Sequence, residues 1–458
     1  MKAGIVFALL LGGMQAGDDV DALARKSIFA LTPAERAVVN DATAVERRRE
    51  MGLLGITALR PGRNGMDMSA PNAVNYDEAR AEPRPIASDV LAGAATADAW
   101  WNARRPALVA TFEKEMYGRV PAHLPAVTWR VASVEHETIG GVAAETRHLI
   151  GHVDNRAAPG ISVDIDARLT LPAQGRGKVP VMINLSWIMP PRLPKGFTPP
   201  PEPPGPDWKA RILARGWGYV VYDPLSVQPD NGVGLTQGII GLANKGQPRS
   251  MDDWGVLRAW AWGASRVLDY LDRDPRVAGD RVGVAGHSRY GKAALVAQAF
   301  DPRFAIGYIS SSGAGGAKLL TRDYGEQLEN LTSDEYYWFA GNFMRYGADP
   351  LSVYDLPVDA DALIALCAPR PVFISAGTQA AGDGWVDSRG SFEAAAGASA
   401  AYELLGATGL SSKTYPPTGT AITGGRIGFR QHHYGHTQAA NWPTFLDFAG
   451  AYLDPASR

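Results

Sequence analysis

Cysteine is nearly missing from this chain: its 458 residues contain one, Cys367. An intrachain disulfide is therefore impossible. Cys367, inside the apolar run Leu363–Ala368, reads as a buried apolar side chain and not as a nucleophile. An excess of charge of either sign is missing too. The 45 Lys and Arg against 47 Asp and Glu give a formal net charge of −2, which excludes the basic footprint of a general nucleic-acid binder. No apolar run reaches the length of a membrane span. No H-E-x-x-H or cysteine pattern marks a zinc site. The residues that are present include 46% hydrophobic ones, so the chain is globular and long enough for a large core in one domain or two.

Along the chain the character changes several times. Met1-Lys2, an apolar stretch from Ile5 to Leu11 and small residues up to Ala16 read as a signal peptide over 1–16, which implies a secreted or periplasmic protein. Residues 17–95 read as an extension packed on the core, with a helix over 33–54 that has Thr32 as N-cap and Glu35 in its first turn. A catalytic domain is expected over 96–458. It opens with a helix at 98–117 and antiparallel strands at 127–153 and 161–172. Short apolar strands of buried type follow at 179–185 and 218–222. The stretch from Pro190 to Pro206 is too rich in proline for anything but a loop. A helix at 254–271, strands at 305–309 and 371–375, and helices at 391–405 and 441–453 complete an α/β pattern. It predicts a doubly wound, mostly parallel sheet flanked by helices.

The most informative segment is Gly286-His287-Ser288-Arg289-Tyr290-Gly291-Lys292. It lies between an apolar strand, 281–285, and an apolar helical pattern, 293–297. A serine on a sharp strand-to-helix turn needs small neighbours where the backbones crowd. The turn exposes the hydroxyl and sets a helix N-terminus beside it, where backbone N–H groups can hold an oxyanion. A Gly-Ser turn of purely structural kind is the plainer alternative.

Strand, serine, helix, acid and a late histidine is the chain order of α/β-hydrolases. The expected base is His436, in Gln431-His432-His433-Tyr434-Gly435-His436, just before the last helix. His432, His433 and His436 could instead ligate a metal, but Gly435 makes the helix that this spacing needs improbable, so no metal is expected. The acid should follow the penultimate strand, 371–375. That loop holds Asp383 and Asp387, and spacing alone does not choose between them.

Several segments together resemble the glucuronoyl esterases, carbohydrate esterase family 15, of bacterial type. The nucleophile segment is similar to that family's G-C-S-R-x-G-K, with His287 in place of the cysteine. Ala259-Trp260-Ala261-Trp262-Gly263, Ser312-Gly313-Ala314-Gly315-Gly316 and Ala368-Pro369-Arg370-Pro371 resemble further family segments. The resemblance spans about 45–455. It implies Ser288 as nucleophile, His436 as base and Arg289 as an oxyanion donor. It also implies Lys292, Gln327, Glu335 and Trp385 as residues that bind the uronate sugar. Many members carry a catalytic Glu just before S-G-A-G-G; here that position is Ser311. The acid must then come from the next loop, where Asp383 is the first choice and Asp387 the second.

The resemblance implies a cofactor-free serine esterase. Its substrates would be esters of 4-O-methyl-glucuronate in glucuronoxylan, linked to lignin alcohols. A monomer without nucleic-acid or membrane partners is expected. The rivals are an acetyl xylan esterase and a carbohydrate-binding relative that has lost turnover.

Overall fold

Ten strands, counted among the described residues, form one sheet: β1 (Val127–Ile139), β2 (Val142–Val153), β3 (Asp164–Pro172), β4 (Val179–Leu185), β5 (Gly218–Asp223), β6 (Val277–His287), β7 (Ile306–Ser310), β8 (Val372–Ala376), β9 (Ala421–Ile422) and β10 (Ile427–Gln431). Their order is β1-β2-β3-β5-β4-β6-β7-β8-β10-β9. The molecule is a computed structural model that describes residues 20–27, 30–81, 89–175, 177–188 and 207–454. The expected signal segment and the proline-rich loop 190–206 lie outside the described residues.

The β1–β2–β3 end and the β3–β5 pairing are antiparallel. From β5 through β4, β6, β7 and β8 to β10 every pairing is parallel. Parallel strands are covered on both faces, and the side-chain alternation shows it. Ile183, Val284, Ile309 and Ile374 enter one apolar cluster, with the helices Val256–Leu271 and Arg289–Phe300. Their neighbours Met182, Ala285, Tyr308 and Phe373 enter the other, with the helices Trp208–Ala214 and Trp442–Leu453. The fold is the expected α/β sandwich. Trp260 is fully buried in the first cluster.

Three expectations need correction. The sequence reading gives no strand at 421–431, yet β9 and β10 follow β8, so β8 is not the penultimate strand. The alternation there is weak: β10 holds five residues, and Gly428 leaves no side chain on one face. The helix expected over 98–117 is broken into a turn at Ala97–Ala99, a π-helical turn at Trp100–Arg104 and an α-helix at Arg105–Glu115. Pro106 has no N–H for the carbonyl one turn back, which widens the ladder before it. The helix expected over 391–405 begins earlier, at Ser388, because Asp387 caps it.

The extension is tied to the sheet's active edge. Its helix, Pro33–Leu54, starts in a capping box: Glu35 N–H donates to Thr32 Oγ1 at 3.3 Å, and Thr32 N–H to Glu35 Oε2 at 2.8 Å. Near the other end, Glu50 meets Arg249 in a fully buried bidentate pair, at 2.8 and 3.1 Å. Arg249 also donates to the carbonyls of Phe339 and Trp254. Removing one partner of such a pair strands a buried charge, at about 3–5 kcal/mol. Tyr336 donates to the Thr43 carbonyl at 2.8 Å, and Gly325 N–H to that of Asn75 at 3.0 Å. The extension therefore braces the long segment between β7 and β8, which carries two of the expected sugar ligands, Gln327 and Glu335.

Candidate active site

Ser288 joins β6 to the helix Arg289–Phe300 with φ 59° and ψ −132°. A non-glycine residue there is strained, and such strain is a mark of functional turns. The two glycines explain how the turn closes. A Cβ on Gly286 would stand 2.1 Å from the Tyr290 carbonyl oxygen, and one on Gly291 2.7 Å from that of Ser310. Ser288 N–H donates to the Ser310 carbonyl at 2.9 Å, which anchors the turn to β7. The helix then begins directly at Arg289, and the N–H groups of its first turn have no carbonyl within the helix.

His436 lies on the loop after β10, with its side chain 42% exposed. Its Nδ1 stands 2.6 Å from Asp383 Oδ1. An ionised carboxylate only accepts, so Nδ1 carries the proton and Nε2 presents a lone pair. Burial pushes the Asp383 carboxyl up, but the bond to His436 and the donors around it prevail and hold it below its ordinary value. Those donors are Gly377 N–H at 2.6 Å and Ser311 Oγ at 2.8 Å, both on Oδ2. Ser311, which stands where the resemblance places a Glu in many relatives, here hydrogen-bonds Asp383 of the next loop.

The other carboxylate of that loop has different work. Asp387 caps the helix Ser388–Leu404 by accepting from Gly390 N–H at 2.9 Å. It also faces Arg322 at 3.5 Å. Burial raises its pKa to about 6, against the pull of Lys318 and Arg322. Both His432 nitrogens are engaged locally: Nδ1 accepts from Tyr434 N–H at 3.1 Å, and Nε2 meets the Thr437 carbonyl at 2.9 Å.

His287 packs its ring on His436, with centroids 4.3 Å apart. Burial, then the neighbouring His436, lowers its pKa to about 3, so it is neutral. This contact sets His436 next to the Ser288 turn. Among the described residues no hydrogen bond joins Ser288 Oγ to His436, and such contacts often tighten only around substrate.

Two cations follow Ser288 in the first turn of the helix. Arg289 Nη1 donates to Asp230 Oδ2 at 2.6 Å, and its guanidinium lies 5.2 Å from the centre of the Trp338 ring. Burial disfavours its charge, but Asp230 outweighs that and holds its pKa above the ordinary value. Lys292, one turn on, is 3% exposed. Its ammonium lies 5.6 Å from the same Trp338 ring and donates to Glu326 Oε2 at 2.8 Å and the Ala314 carbonyl at 2.6 Å. An ammonium has three donors, and these bonds use two of them.

Glu335 is half-buried near these cations. Burial, then the Glu326 and Asp334 charges, raises its pKa to about 8 despite Lys292 and Arg289. Trp385 is half-buried and lies against Gly65 of the extension, where a Cβ would stand 2.8 Å from the indole. Gln327 departs from expectation. Its Nε2 donates to the carbonyls of Tyr324, Arg322 and Gly325 at 3.0–3.3 Å, and its side chain caps the helix Leu328–Ser333. It lines a cavity of about 400 Å³ with Arg60, Arg63 and Tyr354, which Ser288, Arg289, Lys292 and His436 do not line. Helix capping has taken the amide that the resemblance assigned to sugar.

A family model for fungal glucuronyl esterase matches residues 249–406. A prokaryotic carbohydrate esterase, MZ0003, is 31% identical over 420 residues, which cover 84% of this chain and 93% of that one. The chain belongs to carbohydrate esterase family 15, the glucuronoyl esterases. A solved glucuronoyl esterase from Teredinibacter turnerae T7901 is 42% identical, with a TM-score of 0.81, over 89% of this chain and 99% of that one. One from Solibacter usitatus is 32% identical, with a TM-score of 0.71, over 82% and 100%. This glucuronoyl esterase family member thus has the α/β-hydrolase fold.

Sequence reasoning missed Asp230, Glu326 and Trp338. Asp230 sits in Gln228-Pro229-Asp230-Asn231-Gly232, which signals a turn and nothing more. It is 59 residues from the arginine it binds. Glu326 is adjacent to Gln327, but it is 34 residues from the lysine it pairs with.

Proposed function

We propose that this protein is a secreted or periplasmic serine esterase that hydrolyses esters of 4-O-methyl-glucuronate, joining glucuronoxylan to lignin alcohols. The observation that carries the reading is the Asp383–His436 pair beside a strained Ser288, with two cations at the start of the next helix. A polymeric substrate outside the cell fits the exported location. No helix among the described residues is long and apolar enough to cross a membrane.

In this reading His436 Nε2 accepts the Ser288 proton as Oγ attacks the ester carbonyl. The imidazolium is stabilised by Asp383. The oxyanion is held at the helix N-terminus and by Arg289. The imidazolium then gives its proton to the departing alcohol, which leaves a uronoyl ester on Oγ. Water, deprotonated by His436, splits that ester and releases the uronic acid. The third donor of Lys292, with Glu335 and Trp385, binds the sugar ring. This acyl transfer draws on no cofactor.

The test compares kcat/KM on benzyl glucuronate with that on a small acetate ester. A strong preference for the uronate is expected, because polar groups that an acetate leaves unpaired penalise it. A preference for acetate would favour the acetyl esterase alternative. Ser288→Ala should fold and lose several orders of magnitude in kcat. Activity above about a tenth of wild type would remove Ser288 from the reaction.

A further inference from the structure

Hydrolysis of a uronoyl ester turns a neutral acyl group into a carboxylate, and it does so next to Arg289. A guanidinium cannot shed its charge and binds carboxylates through a planar fork of donors. An unbalanced arginine there would hold the product as well as the transition state.

Asp230 stands against that outcome. Its Oδ2 takes Arg289 Nη1 at 2.6 Å, and its Oδ1 accepts from Trp338 Nε1 at 2.6 Å. Trp338 in turn underlies the guanidinium. The aspartate side chain is 13% exposed and that of Arg289 30%, so the pair is partly shielded from salt and water. Its loop is fixed from outside the site. Asn231 Nδ2 donates to the Ala24 carbonyl at 2.8 Å, and Gly232 N–H to Thr43 Oγ1 at 3.2 Å. The N-terminal extension therefore holds the carboxylate in place. Lys292 has a similar counter-ion in Glu326, but an ammonium is a point charge without the planar fork that grips a carboxylate. The arginine pair is the cleaner case.

We propose that Asp230 is a positioning residue that fixes Arg289 beside Ser288 and balances its charge, so that the site lets go of the uronate anion it produces. The proposal rests on the glucuronoyl esterase reading. It leaves the unused edge of the guanidinium for the transient oxyanion, and it cancels the charge that would trap a stable carboxylate.

The experiment measures inhibition of benzyl glucuronate hydrolysis by free glucuronate and by neutral glucuronamide. Wild type should bind the two within about threefold of each other, since a balanced pair gives an anion little advantage. Asp230→Asn keeps the shape and an acceptor for Trp338 but removes the charge. Its inhibition constant for glucuronate should fall about tenfold while that for glucuronamide holds. Its kcat should fall severalfold, because the single amide oxygen can serve Trp338 or Arg289 but not both. Asp230→Ala should lose more kcat than Asp230→Asn. An unchanged glucuronate constant in Asp230→Asn overturns the proposal. So does a wild type that binds glucuronate far more tightly than glucuronamide, a result independent of how the variants fold. A wild type inactive on benzyl glucuronate overturns the substrate reading instead.

Discussion

The ends of β7 and β8 are neighbours in the sheet, and both project into the site, yet they divide the work unevenly. The end of β8 supplies the carboxylate: Asp383 binds His436, while Asp387, four residues on, caps a helix and faces Arg322. The end of β7 supplies Ser311, whose hydroxyl supports Asp383. The difference shows that an acid is defined by what surrounds it. Both aspartates are buried, but only Asp383 has the imidazole, and its donors hold its pKa low while that of Asp387 is pushed up to about 6.

The sharpest way to break this comparison is to neutralise each aspartate in turn. Asp383→Asn should cost about a thousandfold or more in kcat, because an amide favours the wrong His436 tautomer. Asp387→Asn should keep kcat within a few-fold and lower the thermal midpoint, because Arg322 and the buried Lys318 lose a counter-charge. The reverse pattern in rates would exchange the two roles. A smaller effect tests the β7 side. Ser311→Ala should lower kcat about tenfold with KM unchanged, since it removes one hydrogen bond to a charged group. No change in kcat would make Ser311 a bystander.

The smallest effect concerns stability in the segment after β7. The folded pKa of Glu335 is raised to about 8. Between the ordinary carboxylate range and that value, the folded chain binds a proton that the unfolded chain has lost. Its contribution is complete at acid pH and is lost as pH rises through about 8. Glu335→Gln lacks this component, so its thermal midpoint should gain on wild type as pH climbs from 5 to 9. A constant difference across that range would place Glu335 in a more solvated setting.

Much of this site could be read before any coordinates. Ser288 and His436 stood out because an elbow and a late histidine are local patterns, and local sterics force small residues at 286 and 291. The helix over 33–54 was legible for the same reason, since a capping box is written within four residues. Asp230, Glu326 and Trp338 were not legible. Their partners lie 34 to 108 residues away, and neither a turn aspartate nor an apolar tryptophan carries a sign of what it will meet.

Sequence by itself determined most of the elements and the parallel core, and it marked Ser288 and His436 as candidates, because periodicity, caps and turn chemistry act over short distances. It also narrowed the acid to two aspartates. Tertiary structure decided which aspartate faces the imidazole and that Gln327 serves a helix cap. It also decided that Arg289 and Lys292 each reach the site with a carboxylate already attached. Those outcomes depend on charges brought together through a shared low-dielectric interior, where the strength of a pair is set by its neighbours and not by its place in the chain.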